Sequence, residues 1–320
     1  MMAPLQNATQ LLCLMALFLI TGAAACGQGV ETADHRFVHG LMDRQLYGLA
    51  ESYCLAQFEQ TATAGGKAQW VLTLTDCWKH RSWQEEHSSR DSLLKLAAAR
   101  ITEFLASTVV PPGLELRLRL QQIHCLMLIP HQERIVRRAA HLHRVHQQPS
   151  TGDESSSKLL ETTERLTTAM LRQLEEIKQD LDPGVVRALR SEAKLLLAQI
   201  HLLQGQATEK SSERAAFLRK SQDLAESLAR SGPDLRIPIL AQIVLIRILQ
   251  AQEELDAALL RVQALRGQSS AVSHQLAAVQ LSIELQLQQQ RGNAALQLWI
   301  HSMIQRNSLH RSCICVPLRN

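Results

Sequence analysis

Apolar residues recur every three or four positions along most of the chain, which is the spacing of an amphipathic helix. The stretch 158–181 is typical, with apolar residues at Leu166, Met170, Leu174, Ile177 and Leu181. Period-two alternation is limited to the short stretch 70–78, between helical stretches. The pattern therefore predicts an all-α protein. The predicted helices span residues 34–60, 68–80, 85–107, 114–129, 131–147, 158–181, 185–204, 213–230, 235–250, 253–266, 270–290 and 293–305.

The breaks between these helices are short and rich in proline and glycine. "VVPPG" (109–113), "DPG" (182–184) and "SGP" (231–233) each end a helical pattern, because proline cannot continue a helix. Short connections between long amphipathic helices force neighbours to run antiparallel, so we expect helix hairpins. The polar stretch 147–157 is predicted to be an exposed loop between N-terminal hairpins (26–146) and C-terminal repeats (158–306), with a tail at 307–320.

The N-terminus carries the features of an export signal. Residues 11–25 form an apolar run that is shorter than the roughly 20 residues of a membrane span. Ala23 and Ala25 supply the small-x-small pattern of a cleavage site. We expect residues 1–25 to be a signal peptide and the protein to be secreted or periplasmic. Two alternatives attach it to the membrane: the segment stays as an anchor, or Cys26 carries a lipid.

"QAQEELDAALLRVQAL" (250–265) resembles the turn and second helix of a tetratricopeptide repeat. In that family a small residue lets the second helix approach the first, and bulkier apolar residues follow one and two turns later. Two other stretches, "RQLYGLAESYCLAQ" (44–57) and "RGNAALQLWIHS" (291–302), fit the same register. The resemblance assigns repeat packing to Ala50, Cys54, Ala258, Val262, Leu265, Ala295 and Trp299.

This resemblance implies antiparallel hairpins stacked as a right-handed α-solenoid; the alternative is an irregular helical bundle. Such repeats mostly bind peptides or proteins on a concave face lined by the first helix of each hairpin. We expect a scaffold that binds a protein or peptide and has no catalytic activity or cofactor. The helices at 234–250 and 270–290 are the best candidates for the binding face.

A dense basic stretch, "RIVRRAAHLHRVH" (134–146), is the first candidate for other chemistry. Its cations predict either a solvated helix face or a patch for an anion or acidic partner. The patch would consist of Arg134, Arg137, Arg138, His141 and Arg144. His143 and His146 are spaced to share a ligand on a helix, but a metal site would need a further ligand.

Seven cysteines lack the dense, regular spacing of a disulfide scaffold. Cys54 and Cys125 lie in apolar helical stretches and are predicted to be small core residues. Cys313 and Cys315 form a lone Cys-x-Cys pair, which is a weak metal signal because knuckles more often use Cys-x-x-Cys. The alternative function is an exported α-helical enzyme or metal-binding protein that uses this pair or the histidines at 141, 143 and 146.

Two further observations bear on function. The formal net charge of +4 is mild and no basic–aromatic alternation occurs, so we expect no nucleic-acid binding. Residues 76–87 ("DCWKHRSWQEEH") mix Asp, Cys, His and Glu, the groups of a nucleophile with a base. No nucleophile elbow, phosphate-binding glycine loop or zinc-protease helix is present, and the four tryptophans are predicted to be mostly core.

Overall fold

The computed structural model describes residues 33–85, 87–142, 153–231 and 236–268, together with residues 281, 282 and 285. Helices account for 88% of these residues and none of them forms a strand, which confirms the all-α prediction. Along these ranges no helix combines the length and apolar character needed to cross a membrane. The apolar run 11–25 and Cys26 lie outside them.

Ten helices follow one another through the described residues. They are α1 (Ala33–Asp43), α2 (Tyr47–Gln60), α3 (Ala64–Ser82), α4 (His87–Ser107), α5 (Pro112–Leu142), α6 (Asp153–Glu176), α7 (Pro183–Ala207), α8 (Ser211–Ser231), α9 (Arg236–Ala251) and α10 (Leu255–Gln268).

The helix starts follow from local capping. The Asp182 carboxylate accepts hydrogen bonds from the backbone N–H groups of Gly184 (2.8 Å) and Val185 (3.0 Å), and Pro183 occupies the first helical position. Both devices favour a helix start. Likewise, the Thr63 hydroxyl accepts from the Gly66 N–H at 3.2 Å and begins α3. The predicted starts here lie within four residues of those observed.

Three predicted boundaries differ from the structure. The predicted helix 34–60 is interrupted between Asp43 and Tyr47. The helices predicted at 114–129 and 131–147 form one helix, α5, that continues through Pro130. A proline removes one backbone hydrogen bond, and the buried Met127, Leu128 and Ile129 anchor the preceding turn. Helix α6 begins at Asp153, inside the predicted loop 147–157.

Contacts divide the chain into two compact units, with the division inside α9 between Leu245 and Ile246. Within the unit that ends at Leu245, helices adjacent in sequence pack against each other from α1 to α8. The odd-numbered helices also pack against one another in sequence, α1 on α3, α3 on α5 and α5 on α7. Among the described residues no two of the even-numbered helices make a comparable contact.

Burial follows the same alternation. Helix α3 has no exposed residue, α5 has none from 113 to 129, and α7 has none from 188 to 206. The even-numbered helices α2, α4, α6 and α8 each carry many exposed residues. The first helix, α1, is exposed over most of its length and departs from this rule. From α3 onward, then, the odd helices are enclosed and the even helices face solvent.

Two apolar clusters show how α5 joins its neighbours. One contains Leu116 and Ile123 of α5 with Leu174 of α6 and Ile200 of α7. The other contains Leu118 of α5 with side chains of α3 and α4. Because apolar side chains of α5 enter both clusters, this helix has apolar positions around much of its circumference, as an enclosed helix requires.

Two helix connections have the same backbone conformation. Gln45 (φ 62°) and Glu253 (φ 67°) are the two non-glycine residues with positive φ in the described ranges. After Gln45, the Leu46 N–H donates to the Leu41 carbonyl at 2.9 Å; after Glu253, the Glu254 N–H donates to the Leu249 carbonyl at 2.9 Å. Each is a Schellman motif, and each lies five residues before a fully buried alanine, Ala50 or Ala258.

We predict that Gln45→Gly and Glu253→Gly each raise the free energy of unfolding by about 0.5–1 kcal/mol. A residue with a side chain costs about 1–2 kcal/mol in the left-handed region, and glycine removes this cost. The greater freedom of glycine in the unfolded chain offsets part of the resulting gain in stability. Chemical denaturation followed by circular dichroism measures the change. The control Gln252→Gly, one residue before the positive φ, should not stabilise the protein; a loss of stability in the two test variants would contradict the prediction.

Candidate functional site

On each of the enclosed helices α3, α5 and α7, one set of half-buried residues lies on a single side of the helix. On α3 they include Gln69, Asp76 and His80, on α5 Arg117, Gln121 and His124, and on α7 Ala188, Glu192 and Gln199. Their spacing, a sum of three- and four-residue steps, places each set on one helix face. We call these residues the inner stripe.

Other faces of the same helices contact the even helices. The Gln122 amide of α5 donates to the Thr102 hydroxyl of α4 at 2.7 Å. The Gln173 amide of α6 donates to the Glu115 carboxylate of α5 at 3.0 Å, and Arg190 of α7 pairs with Glu175 of α6 at 2.7 Å. The inner stripe is therefore a separate, partly solvent-accessible surface that only the odd helices supply.

The densest polar part of the inner stripe is on α3. Asp76 pairs with Lys79, with 2.5 Å between Oδ1 and Nζ, and the Lys79 side chain is only 7% exposed. His80 Nδ1 lies 2.8 Å from the Asp76 carbonyl oxygen and 3.4 Å from Asp76 Oδ2. Since both neighbours of Nδ1 are acceptors, this nitrogen carries the proton in the neutral ring. The three side chains form a local network one turn from the end of α3.

Opposing effects set the pKa of Asp76. Burial acts to raise it, but the charges of Lys79, His80 and His39, with the hydrogen bond from Lys79, hold the pKa below its ordinary value. The carboxylate is ionised at neutral pH and neutralises one of the cations around it.

His124 on α5 lies in the field of this network. Burial, and then the positive charges of Lys79 and Arg236, lower its pKa to about 3, while the Asp76 carboxylate acts in the opposite direction. The charges of Lys79, Arg236 and Asp76 therefore act on an imidazole that is neutral at pH 7. Helix α3 supplies Lys79 and Asp76, α5 supplies His124, and α9 supplies Arg236.

Gln121 lies three residues before His124 on the same face of α5. Its Nε2 is buried, and no acceptor in the described part of the chain lies within hydrogen-bonding distance. A buried donor without an acceptor costs about 1–3 kcal/mol. The inner stripe thus contains a buried donor that has no acceptor among the described residues.

We predict that stability falls as the pH falls from 6.5 and that His124 causes part of this fall. Below pH 6.5 the unfolded chain binds a proton at His124, whereas the folded chain does so only near pH 3. Stability rises with pH wherever the unfolded state binds more protons, so His124 removes about 2 kcal/mol between pH 6.5 and 5. Denaturation of His124→Gln at both pH values should show a smaller loss than wild type.

The control for this comparison is Leu96→Gln, since Leu96 is an exposed residue on α4 whose side chain has no group that binds a proton. We expect this variant to keep the wild-type loss of stability between pH 6.5 and 5. Equal losses in His124→Gln and wild type would contradict the assigned role of His124.

A second polar network joins α6 to α7. The Gln204 amide donates to Glu164 Oε2 at 2.7 Å, and Gln204 Oε1 lies 3.0 Å from His201 Nδ1. The His201 ring is buried and stacks on Phe217 of α8, with 6.2 Å between centroids. These contacts satisfy buried polar groups between packed helices, so they hold three helices together.

The residues assigned to repeat packing fall into two groups. Ala50, Cys54, Ala258, Val262 and Leu265 are all buried, on the even helices α2 and α10. Ala295 and Trp299 lie outside the described residues. Every even helix carries a buried small residue, since α4 has Ala97, α6 has Thr163 and α8 has Ser221 and Ala225.

The predicted basic patch lies where α5 ends. Helix α5 includes Arg134, Arg137, Arg138 and His141, but their side chains are not among the described parts of the chain. Arg144 lies outside the described residues. His143, His146, Cys313 and Cys315 also lie outside it. The patch and the alternative metal or catalytic function therefore stay predictions. Among the described side chains no three His, Cys, Asp or Glu residues are grouped to hold a metal ion.

The stretch 76–87 has a different character from the one its composition suggested. Burial raises the pKa of the Cys77 thiol to about 12, so this cysteine is a protonated, buried thiol at neutral pH. Cys54 and Cys125 are buried and free, which confirms them as core residues. Trp70, Trp78 and Trp83 are also buried, as predicted.

Gln121, His124 and the Asp76–Lys79 pair were not predicted as site residues from the sequence. The three-residue spacing of Asp76 and Lys79 was a usable signal for an ion pair. Nothing local could show that His124, from another helix, lies in their field. No family model, curated protein or solved structure matches the chain.

Proposed function

We propose that this chain is an exported tetratricopeptide-like α-solenoid that binds a protein or peptide on the inner stripe of its odd helices and has no catalytic activity. One observation carries the proposal: the odd and even helices alternate in both contacts and burial. The hairpins are α1–α2, α3–α4, α5–α6 and α7–α8. The odd helix is the first of each pair.

The order of contacts supports stacked hairpins. In a solenoid each hairpin contacts only its neighbours. The first helix of one hairpin therefore packs against the first helix of the next, and each second helix packs on the outside, between two first helices. The contacts α1–α3, α3–α5 and α5–α7 follow that order. A helical bundle closed around one core would also be expected to bring even helices together.

The two matching turns support a repeat. The stretches 44–57 and 250–265, which resemble the tetratricopeptide register, share a positive-φ residue, the same Schellman hydrogen bonds and a buried alanine five residues later. The alanine permits close helix contact because a larger side chain would enter the neighbouring helix. Identical turns at opposite ends of the described chain favour copies of one unit.

The inner stripe suits recognition of a polar segment. It presents amide, imidazole and charged groups, and the helices that carry them are enclosed by packing. Side chains on rigid helices are already ordered before a partner binds, so they lose little entropy on binding. Helix α9, one of the two predicted binding helices, is likewise an odd helix with no exposed residue.

Site-specific photo-cross-linking in cells that make the protein tests this face. A benzophenone amino acid replaces Gln69 or Gln199 on the inner stripe, or the exposed Lys95 of α4 or Arg219 of α8 as controls. We expect discrete higher-mass products from the inner-stripe positions and none from the controls. Products from the even helices alone, or from no position, would contradict the proposal.

The export part of the proposal rests on the apolar run 11–25 and the small residues Ala23 and Ala25. Mass spectrometry of the protein purified from its source cells should find an N-terminus at or after residue 26. A lipid on Cys26 would show export with membrane attachment. An N-terminus at Met1 or Met2 in a soluble fraction would contradict export.

A further inference from the structure

We propose that Lys67 and Arg100, on the ring of Phe58, form a binding site for an oxyanion, that is, for a phosphate or carboxylate group. Phe58 belongs to α2, Lys67 to α3 and Arg100 to α4, all within the unit that ends at Leu245. Lys67 lies two residues before Gln69 and therefore on another side of α3. The site thus lies apart from the inner stripe, goes beyond the proposed function and does not depend on it.

One aromatic ring brings the two cations together. Lys67 Nζ lies 5.2 Å from the centroid of the Phe58 ring, and Arg100 Cζ lies 5.0 Å from the same centroid. Both distances are typical of cation–π contacts. Because each charge lies about 5 Å from one point, the two charges are at most about 10 Å apart. Like charges this close repel each other, so the arrangement favours a ligand of opposite charge.

Packing holds the ring in place. Phe58 meets the ring of Phe104 on α4 edge to face, with 6.1 Å between the centroids. It also packs against the apolar cluster that contains Phe104 with Ala68 and Val71 of α3. Side chains of three helices therefore fix the surface on which the two cations lie. A site that is ordered in advance loses little entropy when a ligand binds.

No acidic side chain of the described chain neutralises these two cations. Arg119 pairs with Glu115 and Arg190 pairs with Glu175, but among the described residues neither Lys67 nor Arg100 has an ion pair. Glu103 follows Arg100 by three residues, the spacing of a helical pair, yet it is exposed and makes no such pair. Both positive charges are therefore available to another group.

The start of α3 adds to the positive charge. Thr63 caps this helix, and Lys67 is the fourth residue after the cap. A helix N-terminus carries a partial positive charge that acidic side chains stabilise, but the first turn of α3 contains no acidic residue. Lys67 places a full positive charge there instead. Local choices that oppose stability in this way are expected at functional sites.

The donors and their exposure fit an oxyanion. Lys67, Arg100 and Phe58 are half-buried, so solvent reaches the charges while part of the surroundings is apolar. The guanidinium fork matches the geometry of a carboxylate or phosphate, and the ammonium group supplies three further donors. Hydrogen bonds between such charged groups are stronger than neutral ones. A metal cation would be repelled by the same two charges.

The test variants are Lys67→Gln and Arg100→Gln, each of which removes one positive charge. The matched control is Lys95→Gln, which makes the same change at an exposed position of α4. Calorimetric titration of the full chain uses inorganic phosphate and, separately, acetate, with sodium chloride holding the ionic strength constant. Thermal denaturation with and without phosphate at that ionic strength is the second measurement. If one test variant loses its helical circular dichroism, the other decides the result.

We expect saturable phosphate binding to wild type and Lys95→Gln, with affinity at least about tenfold lower in each test variant. Phosphate at about ten times its Kd should raise the melting temperature of wild type and control by roughly 2–4 °C, and that of the test variants by less. Binding of acetate as well would extend the site to carboxylates, and binding of only one anion would restrict it to that group; each supports the site. No saturable binding, or equal affinities in wild type and the test variants, would overturn it, as would an equal loss in Lys95→Gln.

Discussion

Leu94→Ala is expected to lower the free energy of unfolding by about 2–5 kcal/mol. Leu94 is fully buried on α4, whereas Leu96, two residues along the same helix, is 49% exposed. Removing the buried side chain loses its transfer free energy and leaves a cavity that the packed helices fill only in part. Guanidinium denaturation followed by circular dichroism at constant protein concentration measures the loss.

Leu96→Ala is the matched control, since it is the same substitution on the same helix. We expect its effect to stay within about 0.5 kcal/mol, as for most surface changes. Equal losses in the two variants would mean that α4 does not have one enclosed and one exposed face. Such a result would remove the alternation of burial on which the proposed architecture depends.

Ala258→Leu and Ala50→Leu are each expected to destabilise the protein by about 1–3 kcal/mol. Both alanines are fully buried, and both follow the same Schellman turn. Three added carbon atoms have no space at a fully buried position unless the neighbouring structure moves. Thermal and chemical denaturation of the two variants should give losses of similar size, because the proposal makes the two sites equivalent.

The controls are Ala257→Leu and Ala56→Leu, at exposed positions of the same two helices. Leucine and alanine are both good helix formers, so these substitutions should change stability little. A large loss at Ala50 with none at Ala258 would contradict the equivalence of the two hairpins. Losses of similar size at all four positions would show that the effect is not specific to the two buried alanines.

The helices were largely predictable because their signals are local. The apolar spacing of α7, the Asp182 cap and Pro183 lie close together in sequence and act on the same turn. The break at Gln45 was not predicted, because this turn uses a positive φ at glutamine where glycine would be the usual signal. The continuation of α5 through Pro130 depends on packing of the preceding apolar turn, which local sequence does not encode.

The candidate site was harder to predict than the fold. Asp76 and Lys79 are close in sequence, but Gln121 and His124 join them only through the packing of α3 on α5. A glutamine or histidine on an amphipathic helix has no sequence feature that distinguishes an enclosed stripe from a solvated one. The distinction arises because odd helices pack on odd helices, and that contact is tertiary.

The central claim is that the chain is built from hairpins with an enclosed first helix and an exposed second helix. Hydrogen–deuterium exchange of the full chain, resolved by peptide, tests it most directly, since exchange requires local opening and enclosed helices open least readily. We expect amides of α3, α7 and residues 113–129 of α5 to exchange about 100-fold more slowly than those of α2, α4 and α8. Exchange in the even helices that is as slow as in the odd ones would contradict the account.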